Sequence, residues 1–79
     1  MFILKFHIKG DDYWEVYTTE EYRHELDETD EGIPVRRVMF DERTRVISRH
    51  PQDFDACYVV NEQGNTVDRV HPPKETENG

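Results

Sequence analysis

Residues 2 to 9 alternate with a period of two: Phe2, Leu4, Phe6 and Ile8 on one side, Ile3, Lys5, His7 and Lys9 on the other. Only a β-strand with one buried face places such residues coherently, since successive side chains of a strand point to opposite faces. Whatever else forms must cover that apolar side, and 79 residues limit what is available. A chain of this size buries roughly 60–65% of the surface it exposes when unfolded, so one small domain is expected.

Gly10, Asp11 and Asp12 form a turn cluster. "YWEVY" then reads as the return strand of a hairpin, with Trp14 and Val16 toward the core and Tyr13, Glu15 and Tyr17 facing away. Thr18 with Glu21 fits a capping box, which predicts a short helix from Thr19 to about Glu28 held by Tyr22 and Leu26. "DETDEGIP" reads as loop. "VRRVMF" and "RVISR", separated by "DERT", predict a second hairpin. "FDACYVV" and "TVDRV" flank "NEQGN", where Asn61 opens a type I turn and Gly64 takes the left-handed position of a bulged third hairpin. The expected fold class is therefore α+β: an antiparallel sheet of about six short strands in three hairpins with one short helix, able to curl into a half-barrel. Residues 1–71 make the domain, and "PPKETENG", 72–79, is expected to be a disordered tail.

The net charge of −8 is unevenly placed. Residues 10–35 hold ten acids against Arg23 alone, whereas residues 36–50 hold five arginines against Asp41 and Glu42. Anionic membrane surfaces repel such a chain, and no apolar run approaches the roughly 20 residues that cross a bilayer. Lys5 and His7 interrupt the apolar start, so it does not read as a secretion signal, and the single cysteine, Cys57, cannot form an internal disulfide. The expected location is the cytoplasm.

Catalytic and metal motifs are thin. From Asp27, "DETDEGI" begins like a calcium loop, with Asp27, Thr29, Glu31 and Gly32 at positions one, three, five and six, but Val38 occupies the position of the bidentate glutamate. His7, His24, His50 and His71 lack zinc-site spacing, and "HELDE" lacks the second histidine of a helical metalloprotease. Cys57, between Ala56 and Tyr58 in a strand, reads as a buried small residue. Close acid pairs such as Asp53 with Asp55 are expected by chance in so acidic a chain. No enzyme, cofactor or metal is inferred.

Two surfaces are candidates for binding. Arg36, Arg37, Arg43, Arg45 and Arg49 would make a positive strip near Phe40 or Tyr58, suited to RNA or single-stranded DNA, but a polyanion binder normally shows a basic footprint over the whole domain. The acidic segment is the stronger candidate, because its carboxylates are interleaved with tyrosine and tryptophan, which anchor interfaces. Asp11, Asp12, Tyr13, Glu15, Tyr17, Glu20, Glu21, Glu25 and Glu28 are its expected contact residues. Carboxylates in a row replace phosphates as partners of arginine and lysine. The expectation is a monomeric or homodimeric inhibitor that occupies a basic site on a nucleic-acid-handling complex, without itself binding nucleic acid. The alternative is an acidic assembly or accessory subunit. In size, charge and lack of domain motifs the chain resembles the small acidic inhibitors encoded by phages and mobile elements, many anti-CRISPR proteins among them. No family motif matches residue by residue.

Overall fold

The computed structural model describes residues 1–8, 10 and 12–73. Among these residues seven strands form: β1 (Phe2–Ile8), β2 (Tyr13–Thr19), β3 (Arg23–Glu28), β4 (Pro34–Phe40), β5 (Arg43–Ile47), β6 (Ala56–Val60) and β7 (Thr66–Val70). They pair as two antiparallel sheets, a four-stranded one in the order β2-β1-β6-β7 and a three-stranded one in the order β3-β4-β5. The core lies between the sheets: Leu4, Phe6, Cys57, Val59 and Val70 from the first meet Val38, Phe40 and Ile47 from the second. Among the described residues there is no helix, and so none long and apolar enough to cross a membrane. The sheets do not close into a barrel.

The α+β expectation is thus corrected to all-β, with seven strands in place of about six and two sheets in place of one. The helix expected from Thr19 to Glu28 is the end of β2, a short link and β3. Tyr22 and Leu26 are four residues apart, and four is a multiple of two, so one face of a strand accommodates them as well as one face of a helix. Strand pairing wins because β3 lies antiparallel to β4 over Arg23↔Met39 to Glu28↔Pro34, a hydrogen-bonded ladder whose gain two apolar anchors on a short helix cannot match. The Thr18–Glu21 capping box does not form. It is Thr19 that is buried, its hydroxyl 2.9 Å from both the Glu21 carbonyl and the Asp41 carboxylate, so that it can donate to either.

The three expected hairpins are present as β1–β2, β4–β5 and β6–β7, and β3–β4 makes a fourth. In the β6–β7 turn, Gly64 has φ +85° and donates its N–H to the Asn61 carbonyl, while the Asn61 side chain accepts from the amides of Gln63 and Asn65. The sequence reading of that turn holds. The facing of β2 does not. The β1–β2 register pairs Leu4 with Tyr17 and Phe6 with Glu15, which turns Glu15 and Tyr17 inward and leaves Trp14 and Val16 exposed. In a strand a one-residue difference in register exchanges the two faces completely.

The chain crosses between sheets through residues 48–55. Phe54 donates its amide to the Val46 carbonyl, and the Asp55 amide donates to the His7 carbonyl at 2.8 Å. Buried Ser48 donates its hydroxyl to Asp53 at 2.7 Å and accepts from the His50 amide. Pro72 and Pro73 are half-buried; the rest of the expected tail, 74–79, lies outside the described residues.

Only Asp41 and Glu42 separate the paired residues Phe40 and Arg43, and both have positive φ, 50° and 63°. This is the backbone of a type I′ turn, which favours glycine at its second position. A glutamate side chain held there costs about 1–2 kcal/mol. Glu42→Gly relieves that strain and loses part of the gain to the freer unfolded chain. The expected net gain is about 0.5–1 kcal/mol, several degrees in Tm for a domain of this size. A lower Tm on thermal melting would mean that the Glu42 side chain contributes contacts outweighing the strain.

Candidate functional site

Polar clasps hold the two sheets together at their flanks, and they decide which acids remain available. On one flank Arg45 reaches from β5 to β2. Its Nη2 donates to the Tyr17 hydroxyl at 2.9 Å, its Nε donates to Glu15 at 3.4 Å, and the Tyr17 hydroxyl donates to the same Glu15 oxygen at 2.7 Å. The guanidiniums of Arg43 and Arg45 also lie over the Tyr17 ring, 5.4 and 5.3 Å from its centroid, and its edge packs on Phe6. On the other flank Asp68 of β7 accepts from the Tyr22 hydroxyl at 2.9 Å and lies 3.1 Å from His24 of β3. Of the expected contact residues, Glu15 and Tyr17 are therefore committed to internal interactions.

The remaining expected residues separate into two groups. Asp12 and Tyr13 are exposed at the β1–β2 turn, with Asp12 3.7 Å from His7; Asp11 lies outside the described residues. Glu20, Glu21, Glu25 and Glu28 are exposed along the link to β3 and on β3 itself. This second group belongs to a larger acidic edge. β3 ends its sheet, paired to β4 alone. Asp30 and Glu31 extend the edge in the β3–β4 turn, and Asp41 and Glu42 of the β4–β5 turn line a common depression with Glu21 and Arg23 at its other end. In the middle stands Leu26, 61% exposed. Asp27 is occupied locally: one carboxylate oxygen accepts the Glu28 amide at 2.8 Å and the other faces Arg37 Nε at 3.1 Å. The calcium-like loop start at Asp27 is thus an ion pair and a turn. Among the described residues no three histidine, cysteine, aspartate or glutamate side chains gather as a metal site would require.

The arginine strip does not assemble as one surface. Arg37 pairs with Asp27, Arg43 and Arg45 lie over Tyr17, Arg36 turns toward the opposite face from Arg37, and Arg49 is exposed in the link between the sheets. The sequence reading missed a different surface, the outer face of the four-stranded sheet. There Trp14, His7, Tyr58 and His71 form a row of rings with successive centroids 4.6 Å (His7–Trp14), 6.0 Å (Trp14–Tyr58) and 5.9 Å (Tyr58–His71) apart. The signal was present in the sequence as the even-numbered residues of β2, but it required the register of the first hairpin to be read.

Cys57 is fully buried, and burial pushes its thiol up to about 12, so it stays a protonated core residue at neutral pH. Tyr22 is likewise raised to about 12, first by burial and then by its hydrogen bond to Asp68. Both groups are neutral in the folded state and ionise more readily when unfolded. Their contribution to stability is complete below about pH 9 and is lost as pH rises toward 12. The urea midpoint should accordingly fall between pH 9 and 11, less steeply in Cys57→Ala. Tyr22 is partly solvated, so Cys57 dominates the difference. A midpoint that falls equally in both proteins would show that the thiol does not contribute.

No family model, curated protein or solved structure matches the chain, so the functional reading rests on this geometry.

Proposed function

We propose that the domain is a cytoplasmic protein-binding inhibitor that presents its β3 edge to a basic surface, of the kind with which a nucleic-acid-handling complex holds phosphates. The observation that carries this reading is the edge itself. Glu20, Glu21, Glu25, Glu28, Asp30 and Glu31 are exposed along one boundary of a sheet around the exposed Leu26. An apolar centre with a charged rim is the anatomy of a protein interface, and an unpaired strand edge adds fixed backbone donors and acceptors. Strand geometry fixes Glu28 on the same side as Leu26 and Glu25 on the opposite side of the edge, so a partner that docks edge-on meets both charges with little further ordering.

The test is retention of the partner from host lysate at low salt, followed by elution with a DNA or RNA oligonucleotide. A protein that occupies a phosphate-binding site is displaced by phosphates. A captured protein that survives the oligonucleotide, or that binds equally to a variant with Glu25 and Glu28 reversed to lysine, excludes the mimicry reading.

A further inference from the structure

The outer face of the four-stranded sheet carries chemistry opposite to that of the molecule as a whole. Among its strands the only acids are Glu15 and Asp68, and both point inward to the clasps. On the outer face Lys5, Tyr58 and Arg69 are direct cross-strand partners, Lys5↔Tyr58 and Tyr58↔Arg69. A half-exposed ring is thus flanked by two exposed cations whose backbones lie about 9.5 Å apart. Neither cation is in an ion pair among the described residues. His7, by contrast, lies 2.8 Å from Asp55 and 3.7 Å from Asp12, which makes that end of the ring row less attractive to anions.

The other end of the row opens into a cleft of about 390 Å³. Arg36, Arg69, His24 and His71 line it beside Val70, Pro72 and Pro73, and among the described residues no carboxylate is part of the lining. Asp68 occupies His24 at 3.1 Å, so the cations left to receive an anion are Arg36 and Arg69, neither in an ion pair among the described residues. Two guanidiniums lining one cleft make an anion-binding corner. It adjoins the rings directly, because His71 packs edge-on against Tyr58 and also lines the cleft.

We propose that this face and cleft bind a short stretch of single-stranded nucleic acid, with bases stacked on Tyr58 and Trp14 and phosphates received by Lys5, Arg69 and Arg36. Aromatic rings on an open sheet give a sequence-tolerant stacking platform, and flanking cations track the backbone. The rings, Lys5 and Arg69 belong to the four-stranded sheet, and only His24 and Arg36 of the cleft come from the sheet that carries the acidic edge, so the inference does not rest on the proposed inhibitor role. The molecule's net charge limits affinity, placing it in the roughly 1–100 µM range of non-specific binding.

Trp14 is the only tryptophan, so its fluorescence reports the site directly. Titration of the full chain with a ten-nucleotide thymidine oligomer in 50 mM salt should give saturable quenching. With two or three phosphates neutralised, raising the salt four-fold should weaken binding roughly 7- to 18-fold. Lys5→Gln combined with Arg69→Gln, both at exposed positions, should weaken it at least ten-fold with circular dichroism unchanged, and Tyr58→Leu roughly five-fold or more. Glu28→Gln, on the other sheet, should leave it within two-fold. If the double variant misfolds, Arg69→Gln alone serves, with a several-fold loss expected. Absence of saturable quenching at 1 mM oligomer overturns the proposal, as does binding indifferent to Arg69→Gln. Inorganic polyphosphate competing as well as the oligomer would reduce the site to an anion cleft without stacking. A Trp14 change that follows protein concentration alone, with dimers in sedimentation, would give the face to a second copy.

Discussion

Phe6→Ala should leave the domain largely unfolded at 25 °C. Phe6 is fully buried, and its ring contacts Phe40, Phe54 and Tyr17 at centroid distances of 5.7, 5.3 and 5.9 Å. It therefore joins the four-stranded sheet to the three-stranded one and to the link between them. Truncating a buried phenylalanine costs about 3–5 kcal/mol, through lost transfer free energy and the cavity left behind. A single core in a domain this small rarely supplies more than about 3–5 kcal/mol of net stability, so the loss removes most or all of it. Val16→Ala on the adjacent strand is the comparison. Val16 is exposed on the outer face, and its truncation should cost less than about 1 kcal/mol, mainly in strand propensity. Urea unfolding followed by circular dichroism measures both. If Phe6→Ala lost no more than Val16→Ala, the core would not lie between the two sheets.

Reversal of Glu25 and Glu28 to lysine should weaken partner binding by several kcal/mol, the second large effect. Most of that loss comes from the partner's side, where cations brought to the interface are left unpaired or facing like charge. The domain itself should lose less than about 1 kcal/mol. Both side chains are exposed, and the main cost is the new lysine at position 25 directly opposite Arg37. Leu26→Ala should cost binding roughly 1–3 kcal/mol if the leucine anchors the interface, with little effect on folding because the side chain is already exposed. Reversal of Glu62, which meets the N-terminal ammonium 3.2 Å away on the β6–β7 turn, is the control and should change only the on-rate slightly. Equal weakening by Glu62→Lys and by the β3 pair would mean that the acids act as a diffuse field, with no defined contact edge.

The charge of the whole chain proved a poor guide to the charge of its parts. Counted along the sequence, residues 36–50 are the basic segment and residues 10–35 the acidic one. Folding pairs Arg45 with Glu15 and Arg37 with Asp27 across those segments, then leaves Lys5 and Arg69, from opposite ends of the chain, on either side of Tyr58. Arg36 reaches the cleft beside Arg69, although 33 positions separate them in the sequence.

Local patterns determined what depended on neighbours in sequence. The alternation of residues 2–8 specified β1 and its buried face, Asn61 and Gly64 specified the bulged turn between β6 and β7, and the flanking strand residues marked Cys57 as a core thiol. Only the tertiary structure decided whether Tyr22 to Glu28 became helix or strand, because the spacing of Tyr22 and Leu26 satisfies both periods and β4 supplied the hydrogen-bonding partner. It likewise decided which face of β2 turned inward, since alternation gives two equivalent faces and the pairing register with β1 selects one. The division into two sheets and the placement of Trp14 beside Tyr58 also lay beyond the local pattern. These last two are contacts between residues distant in sequence, and their free energy comes from pairings that no short window of the chain contains.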